Sequence, residues 1–544
     1  MKIHVAQINP VIGDIAGNTK KILDAIQLGK KNGADVILCP ELTLCGYPPE
    51  DLVYHLSFID AQEQALQQII NEADNVMVVV GLVRRNLYHG EKHLLNSAAI
   101  IQDGAIVGFY DKWLLPTYDV FDERRYFEPG SSIRVWPYRG KNIGVVICED
   151  IWQHAGYVEF THYARDPILE LVPHKPDILL NLSASPYQFQ KPDVRVKVCA
   201  KAAKTLKCPV ALCCQVGANG QLIFDGASIV VDKHGKLIGQ GKPFAEDDFF
   251  VDLDKSQEIA LEEYDAMKEV YNALILGVRD YFEKCGFTRA CLGLSGGIDS
   301  ALVACIATDA LGATNVLGLI MPSKYSSEHS VVDAKELAMN LGMNTEELPI
   351  SAPFDAYLGL LGPMFHGTEA DITEENIQAR IRGMLLMAVS NKLGHIALST
   401  GNKSEIALGY STLYGDMCGG LGVIGDVKKT MVYDLCRWIN REQEIIPRST
   451  IDKPPSAELR PGQIDLDSLP DYGIVDSVLE GYVEDNLSRS EISVKYNIPL
   501  EVVIDLVQRI HRNEYKRRQA APILRVTKKS FGVGRRYPLV QNWV

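Results

Sequence analysis

Ala290-Cys-Leu-Gly293-Leu294-Ser295-Gly296-Gly297-Ile298-Asp299-Ser300 runs from a short apolar strand pattern through two adjacent glycines into a helical pattern. Glycines at such a turn let the backbone fold tightly round an anion without side-chain clashes. The N–H groups at the start of the following helix point at that anion, and the helix dipole favours it. Ser295 and Ser300 add hydroxyl donors. No lysine stands in the Walker position, so this is not an ordinary P-loop. Outward from this stretch, strand and helix patterns alternate: helices at about 262–284, 328–341, 375–392 and 403–409, strands at 290–294, 316–321 and 395–399. The alternation predicts a doubly wound parallel sheet with the glycine loop at the carboxyl end of a strand, where such sheets bind ligands. Asp299 is then either a cap of its helix or a ligand for a cation beside phosphate.

The chain has 544 residues, and a single hydrophobic core rarely grows past about 300, so two domains are expected. A polar, acidic stretch at 253–268 reads as the linker between domains 1–252 and 269–544. Residues 411–428 are rich in glycine and read as a mobile loop, 450–475 carries Pro454, Pro455, Pro461 and Pro470 and reads as irregular, and 487–518 reads as two joined helices. The formal net charge is −14, and the small basic cluster Lys528, Lys529, Arg535 and Arg536 reads as a solvated tail. Without a broad basic face, nucleic-acid binding is not expected. No apolar run reaches the ~20 residues of a membrane helix, so no membrane partner is expected either. The 12 cysteines show no C-x-x-C spacing, which argues against a zinc site or a secreted disulfide framework and suits a reducing cytoplasm.

Residues 1–252 read as short strands with helices between them. Strand patterns fall at 3–8, 36–39, 76–80, 98–101, 143–148, 178–182, 210–215 and 228–231, helical ones at 17–31, 57–73 and 192–206. This is an α/β domain with a substantial sheet. Cys39-Pro-Glu41 and Gly144-Val-Val-Ile-Cys148 each put a reactive side chain directly after an apolar strand, and Tyr110-Asp-Lys112-Trp stands between them in the chain. Amide hydrolysis needs a nucleophile, a base and an oxyanion stabiliser. Cys148 can attack the amide carbon, Glu41 can take the thiol proton, and Lys112 with a backbone N–H after Cys148 can hold the oxyanion. Singly, Cys148 reads as a core thiol, Glu41 as a helix cap and Lys112 as a surface charge. Together they point to chemistry.

These segments resemble the nitrilase superfamily, which uses a Glu–Lys–Cys triad. The resemblance spans about residues 1–250 and implies an αββα sandwich. Tyr47, the run Phe121-Asp-Glu123-Arg-Arg-Tyr-Phe-Glu-Pro-Gly130 and Asn181-Leu-Ser-Ala-Ser185-Pro-Tyr resemble its glutaminase branch. By that resemblance Tyr118, Ser185 and Lys191 hold glutamine, and Glu123 is a supporting carboxylate.

Ser295-Gly-Gly-Ile-Asp-Ser300 is similar to the loop of the ATP pyrophosphatase family, which cleaves ATP between the α- and β-phosphates and adenylates its acceptor. The resemblance assigns Gly293, Leu294, Ser295, Gly296, Gly297, Ile298, Asp299 and Ser300 to ATP, and Asp299 to Mg2+. Glu375-Asn376-Ile-Gln-Ala-Arg380-Ile-Arg382, Ser399-Thr400-Gly-Asn-Lys403-Ser-Glu405, Gly415-Asp416 and Glu514-Tyr-Lys516 resemble the NAD synthetases. Thr400 then contacts ATP; Asn376, Glu405 and Lys516 contact deamido-NAD, Glu405 also serving Mg2+; and Lys429 approaches phosphate. Arg380 and Arg382 read equally as helix-surface charge. At Gly401-Asn402-Lys403 the chain departs from the shortest synthetases, which leaves the ATP contacts round Thr400 less defined.

Both halves together resemble glutamine-dependent NAD synthetases. Such a chain consumes glutamine, ATP and deamido-NAD, needs a protected passage for ammonia between its domains, and assembles as a homo-oligomer, a dimer through the synthetase domain or larger. The alternative is an amidotransferase with the same ATP chemistry acting on a different carboxylate.

Overall fold

The computed structural model describes residues 1–87, 90–157, 161–189, 191–261 and 265–543, with the backbone alone for Lys191 and Pro192. The chain divides into two compact units, Met1–Tyr264 and Asp265–Val544.

The first unit holds strands β1 (Lys2–Gln7), β2 (Val36–Leu38), β3 (Met77–Arg85), β4 (Leu94–Gln102), β5 (Ala105–Asp111), β6 (Val135–Tyr138), β7 (Lys141–Ile147), β8 (Ile178–Ser183), β9 (Val210–Cys214), β10 (Val216–Asn219), β11 (Leu222–Asp225), β12 (Ile229–Val231), β13 (Leu237–Gln240) and β14 (Asp247–Asp252). Two six-stranded sheets form, ordered β14-β1-β2-β3-β4-β5 and β13-β12-β9-β8-β7-β6, and β10-β11 is a separate hairpin. Each sheet has three parallel strands at its centre, β1-β2-β3 and β7-β8-β9, and antiparallel strands outside them.

Period-2 alternation sorts the side chains between layers. Ile3, Val5, Val36, Leu38, Met77 and Val79 share one core with Val145, Ile147 and Leu212 of the other sheet. Their neighbours Ala6, Ile37, Val78 and Val80 instead join helices Ile15–Lys31 and Leu56–Glu72. Helices Glu149–Ala155 and Lys191–Leu206 pack on the second sheet. The result is an αββα sandwich.

The sheets also contain strands that the sequence patterns did not mark: β5, β6, β13 and β14. The β4–β5 hairpin turns at Asp103-Gly104, both with φ in the left-handed region at 50° and 78°. That Asp-Gly pair is the two-residue hairpin signature.

The second unit carries β15 (Ala290–Gly293), β16 (Val316–Ile320), β17 (Asn344–Glu347), β18 (Ile396–Ser399) and β19 (Leu421–Gly422). They form one parallel sheet ordered β17-β16-β15-β18-β19. Strand order reverses between β15 and β18, which puts the glycine loop after β15 at the switch point. Helices Ser351–Leu361 and Ile372–Leu393 cover one face through Phe354, Ile377, Ile381 and Leu386. The helix expected from about 262 is described from Ala266, with Asp265 as its cap.

Two expectations are corrected here. Residues 411–428 are not a mobile loop: they contribute β19, and Leu421, Val423, Ile424 and Val427 are fully buried. The basic C-terminus is not a solvated tail. Arg535 is buried and paired with Glu514 at 2.5 Å. The backbone N–H groups of Val526 and Thr527 donate to buried Asp426 at 2.9 and 2.7 Å, and Lys403 donates to Thr527 Oγ1 at 2.6 Å and to the Lys529 carbonyl at 2.8 Å. The tail folds back because its backbone and side chains complete the partners of these buried charges. Among the described residues, no helix is long and apolar enough to cross a membrane.

The first unit is also held by a buried pair. Arg195 donates to both oxygens of Asp225 at 2.5 and 2.6 Å, and each side chain is 1% exposed. Asp225→Ala leaves the guanidinium buried and unpaired, so this unit should lose about 3–5 kcal/mol of stability in urea unfolding. A loss below about 1 kcal/mol would show that the pair does not hold the unit.

Candidate active sites

In the first unit the carboxyl ends of the central strands converge. β2 runs into the turn bearing Glu41, β7 ends at Ile147 just before Cys148, and β8 leads into Ala184 and Ser185. Lys112 follows β5. Gly81 of β3 lies against the Glu41 turn so closely that a Cβ there would sit 2.2 Å from the Leu42 nitrogen. Lys112 Nζ donates to Glu41 Oε1 and Glu123 Oε1, both at 2.7 Å. Glu41 accepts two further bonds, from Asn96 Nδ2 at 2.8 Å and the Ala184 N–H at 3.0 Å. Tyr47 donates its hydroxyl to Glu123 at 3.0 Å. Cys148 sits at the start of helix Glu149–Ala155 with φ 43° and ψ −101°, a strained conformation for a residue with a Cβ. Such a turn presents a nucleophile at the top of a sheet, as a nucleophile elbow does. Ser183 Oγ donates to Cys148 Sγ at 3.4 Å.

Burial decides the electrostatics. It pushes the Cys148 thiol well above its ordinary range; Glu41 adds to the rise and Lys112 opposes it. The thiol is therefore protonated at rest, and a base must take its proton as it attacks. Burial alone would lower the Lys112 ammonium, but the carboxylates of Glu123 and Glu41 outweigh it and hold the pKa up. Burial, with help from Glu41 and against Lys112, lifts Glu123 to about 7.

Tyr118 donates to both oxygens of Glu149 at 3.0 Å, and Tyr163 donates to Glu149 Oε1 at 3.2 Å. Ser185 is buried, and its carbonyl accepts from Arg195 at 3.4 Å. Lys191 begins helix Lys191–Leu206, and its side chain lies outside the described residues. Sequence reasoning missed Asn96, Ser183 and Glu149, and also Asp150, which accepts four hydrogen bonds. Asn96 was traceable as a buried amide inside an apolar strand.

In the second unit a cavity of about 300 Å³ opens over the glycine loop, lined by Gly293–Ser295, Gly297–Ser300, Arg382, Thr400, Glu405 and Lys429 among others. Gly296 has φ 73°, and a Cβ there would meet the Ser330 carbonyl oxygen at 2.2 Å. Ser300 Oγ donates to the Gly297 carbonyl at 2.9 Å and lies 3.2 Å from Ser295 Oγ. The loop is thus pinned from within, and helix Ile298–Leu311 starts beneath it.

Lys429 is buried and bonded to Asp299, with Glu405 Oε1 at 3.2 Å. Asn402 Nδ2 donates to Asp299 at 2.9 Å and its side chain caps the helix bearing Glu405. Burial lifts Glu405 to about 8; Lys429 opposes the rise, while Asp299 and Asp465 add to it. Asp465 also lines the cavity, and its Oδ2 accepts the Tyr472 hydroxyl at 2.8 Å. Asp299, Glu405 and Asp465 thus offer carboxyl oxygens, the hard donors a divalent cation takes, beside Lys429. Among the described residues, no three His, Cys, Asp or Glu side chains surround a common centre.

Asn376 and Lys516 do not line this cavity. They meet the adjoining turn instead: Asn376 accepts from Thr412 Oγ1 at 2.7 Å, and Lys516 donates to the Gly409 and Ser411 carbonyls, both at 2.7 Å. Asp416 shares that turn, accepting from the Thr412 N–H at 2.7 Å. Arg382 faces the cavity and donates to the Met321 carbonyl at 3.0 Å, whereas Arg380 bonds the Leu413 carbonyl at 3.2 Å from an exposed position.

Residues 2–261 match the family model described as carbon-nitrogen hydrolase, and residues 270–520 match that of NAD synthase. The glutamine-dependent NAD(+) synthetase of Synechocystis sp. is 48% identical over 99% of this chain and 98% of its own length. That of Thermotoga maritima is 42% identical over 100% of this chain and 99% of its own. Among solved structures, the glutamine-dependent NAD+ synthetase of Acinetobacter baumannii in complex with ADP is 38% identical, covers 100% of this chain and 99% of its own, and has a TM-score of 0.78.

Gly296→Ala puts a methyl group against the Ser330 carbonyl in a left-handed conformation. Strain of about 1–3 kcal/mol at the loop should weaken ATP binding by about 10- to 100-fold in calorimetric titration. Unchanged affinity would mean that the loop does not grip the nucleotide.

Proposed function

The chain belongs to the family of glutamine-dependent NAD(+) synthetases, and from that premise we propose that it amidates deamido-NAD at the cost of ATP, with nitrogen drawn from glutamine at Cys148. It is a carbon–nitrogen ligase. The observation that carries the mechanism is that one chain holds both a strained, buried cysteine among Glu41 and Lys112 and a glycine loop over a nucleotide-sized cavity. Every relative named above is a synthetase of NAD(+), which leaves a different carboxylate acceptor without support.

In the first unit the Cys148 sulfur attacks the glutamine amide carbon while Glu41 takes its proton. Lys112 and the Glu149 N–H hold the oxyanion. Glu41 returns the proton to the leaving nitrogen, and ammonia departs. Glu41 then activates water, which cleaves the thioester to glutamate and restores the thiol. Asn96 and the Ala184 N–H keep the Glu41 carboxylate aimed. Tyr118, Ser185 and Lys191 hold the rest of glutamine.

In the second unit the nicotinate carboxylate of deamido-NAD attacks the α-phosphorus of ATP and pyrophosphate leaves. Gly293–Ser300 cradle the phosphates with backbone N–H groups and hydroxyls, and Thr400 contacts the nucleotide. Lys429 neutralises phosphate charge. Ammonia attacks the adenylate carbonyl, AMP leaves, and NAD+ forms. Asn376, Glu405 and Lys516 hold deamido-NAD. Asp299 and Glu405 would bind Mg2+, which adds charge neutralisation at the phosphates, and their carboxyl oxygens on the cavity wall are the hard donors that fit it.

Cys148→Ala should abolish NAD+ formation from glutamine while the rate with ammonium stays within about twofold of the parent, the cost being confined to the lost covalent step. Loss of both rates would refute this division of labour.

A further inference from the structure

Asp150 lies two residues beyond Cys148 in the first turn of the helix that Cys148 begins, and it is fully buried. Its carboxylate accepts four hydrogen bonds. Oδ1 takes the N–H groups of Trp113 at 3.2 Å and Leu114 at 2.9 Å. Oδ2 takes the Tyr110 hydroxyl at 2.9 Å and the Ile147 N–H at 3.0 Å. With two donors on each oxygen, this carboxyl group has no acceptor site to spare.

The donors fall in two groups. Tyr110, Trp113 and Leu114 bracket Lys112 on both sides, whereas Ile147 directly precedes Cys148. One carboxylate therefore ties the Lys112 segment of one sheet to the nucleophile turn of the other. Lys112 itself is fixed sideways by Glu41 and Glu123, but nothing in those bonds sets its distance from Cys148. The strained backbone at Cys148 also needs a hold, and the bond from the Ile147 N–H to Oδ2 closes that turn.

We propose that Asp150 is a positioning residue of the glutaminase reaction, a clamp that sets Lys112 against the Cys148 sulfur. This rests on the reading of Cys148 as nucleophile and Lys112 as oxyanion partner. Asp150 touches neither glutamine nor the reacting atoms. Its effect is on kcat, because the Lys112–Cys148 geometry matters most when the oxyanion forms.

Asp150→Asn keeps the size of the side chain but turns an NH2 group towards one of the two donor pairs, which opens the clamp. In the full-length enzyme, kcat with glutamine should fall about 100-fold, as for a misplacement of about 1 Å at a catalytic group. The KM for glutamine should stay within about threefold, and the ammonium-driven rate should be unchanged. Alkylation of Cys148 by iodoacetamide, followed on its own peptide by mass spectrometry, should shift to higher pH as the ammonium moves from the sulfur. A purely structural role would lower stability without splitting kcat from KM or moving that pH profile. Should Asp150→Asn fail to fold, Tyr110→Phe removes one of the four bonds, and a smaller fall in kcat at constant KM is expected. A kcat within threefold of the parent in Asp150→Asn, or in Tyr110→Phe where that variant decides, overturns the proposal. If Cys148→Ala retains glutamine use, the underlying reading fails instead; if it loses glutamine use while Asp150→Asn keeps its kcat, only the clamp fails.

Discussion

A buried ammonium held between two carboxylates is the constraint on which both halves of this chain are built. Lys112 stands between Glu41 and Glu123 in the first unit, and Lys429 between Asp299 and Glu405 in the second. Taking three charges out of water is costly unless the geometry and further hydrogen bonds repay it. Here they do. Glu41 is also bonded by Asn96 and Ala184, Glu123 by Tyr47, and Asp299 by Asn402. In each trio one carboxylate is lifted by burial, Glu123 to about 7 and Glu405 to about 8. The first trio is almost wholly shut off from water, where a small change in charge at the substrate is strongly felt, whereas the second opens on the cavity with Asp299 and Glu405 partly exposed.

The folds deliver these trios in different ways. In the sandwich, Glu41 and Lys112 belong to one sheet and Cys148 to the other. The bond from the Ala184 N–H to Glu41 and three of the four bonds into Asp150, those from Tyr110, Trp113 and Leu114, cross between the sheets. In the parallel sheet, Asp299 follows β15 and Glu405 follows β18, so the strand-order reversal between those two strands places both carboxylates on one crevice. Lys429 reaches them from the helix after the glycine-rich segment. That explains why the segment is buried rather than loose: its path fixes the start of helix Lys429–Ile439.

Central strands were legible in the sequence because both faces are covered and their side chains are almost all apolar. Edge strands were not. β17 is Asn-Thr-Glu-Glu, and β14 opens with two aspartates and ends on a third. Charges on an edge strand discourage pairing with other chains and also erase the hydrophobic pattern. Glycine misled at 411–428, since composition reports permissive backbone and not burial. The candidate site residues at strand ends, Glu41, Cys148 and the 293–300 loop, were visible from local pattern, while the candidates Tyr118, Ser185, Asn376 and Lys516 came from resemblance alone. Asn96 and Asp150 escaped because their roles exist only through partners far along the chain.

The most direct test of the whole scheme follows the nitrogen. Amide-15N glutamine is supplied with deamido-NAD, ATP and Mg2+, and NAD+ is analysed by mass spectrometry while AMP and glutamate are counted. The expected result is 15N in the carboxamide of NAD+, with one AMP released per NAD+ formed. Glutamate accumulating with no labelled NAD+, or labelled NAD+ formed with ADP in place of AMP, would contradict the joined chemistry of the two units.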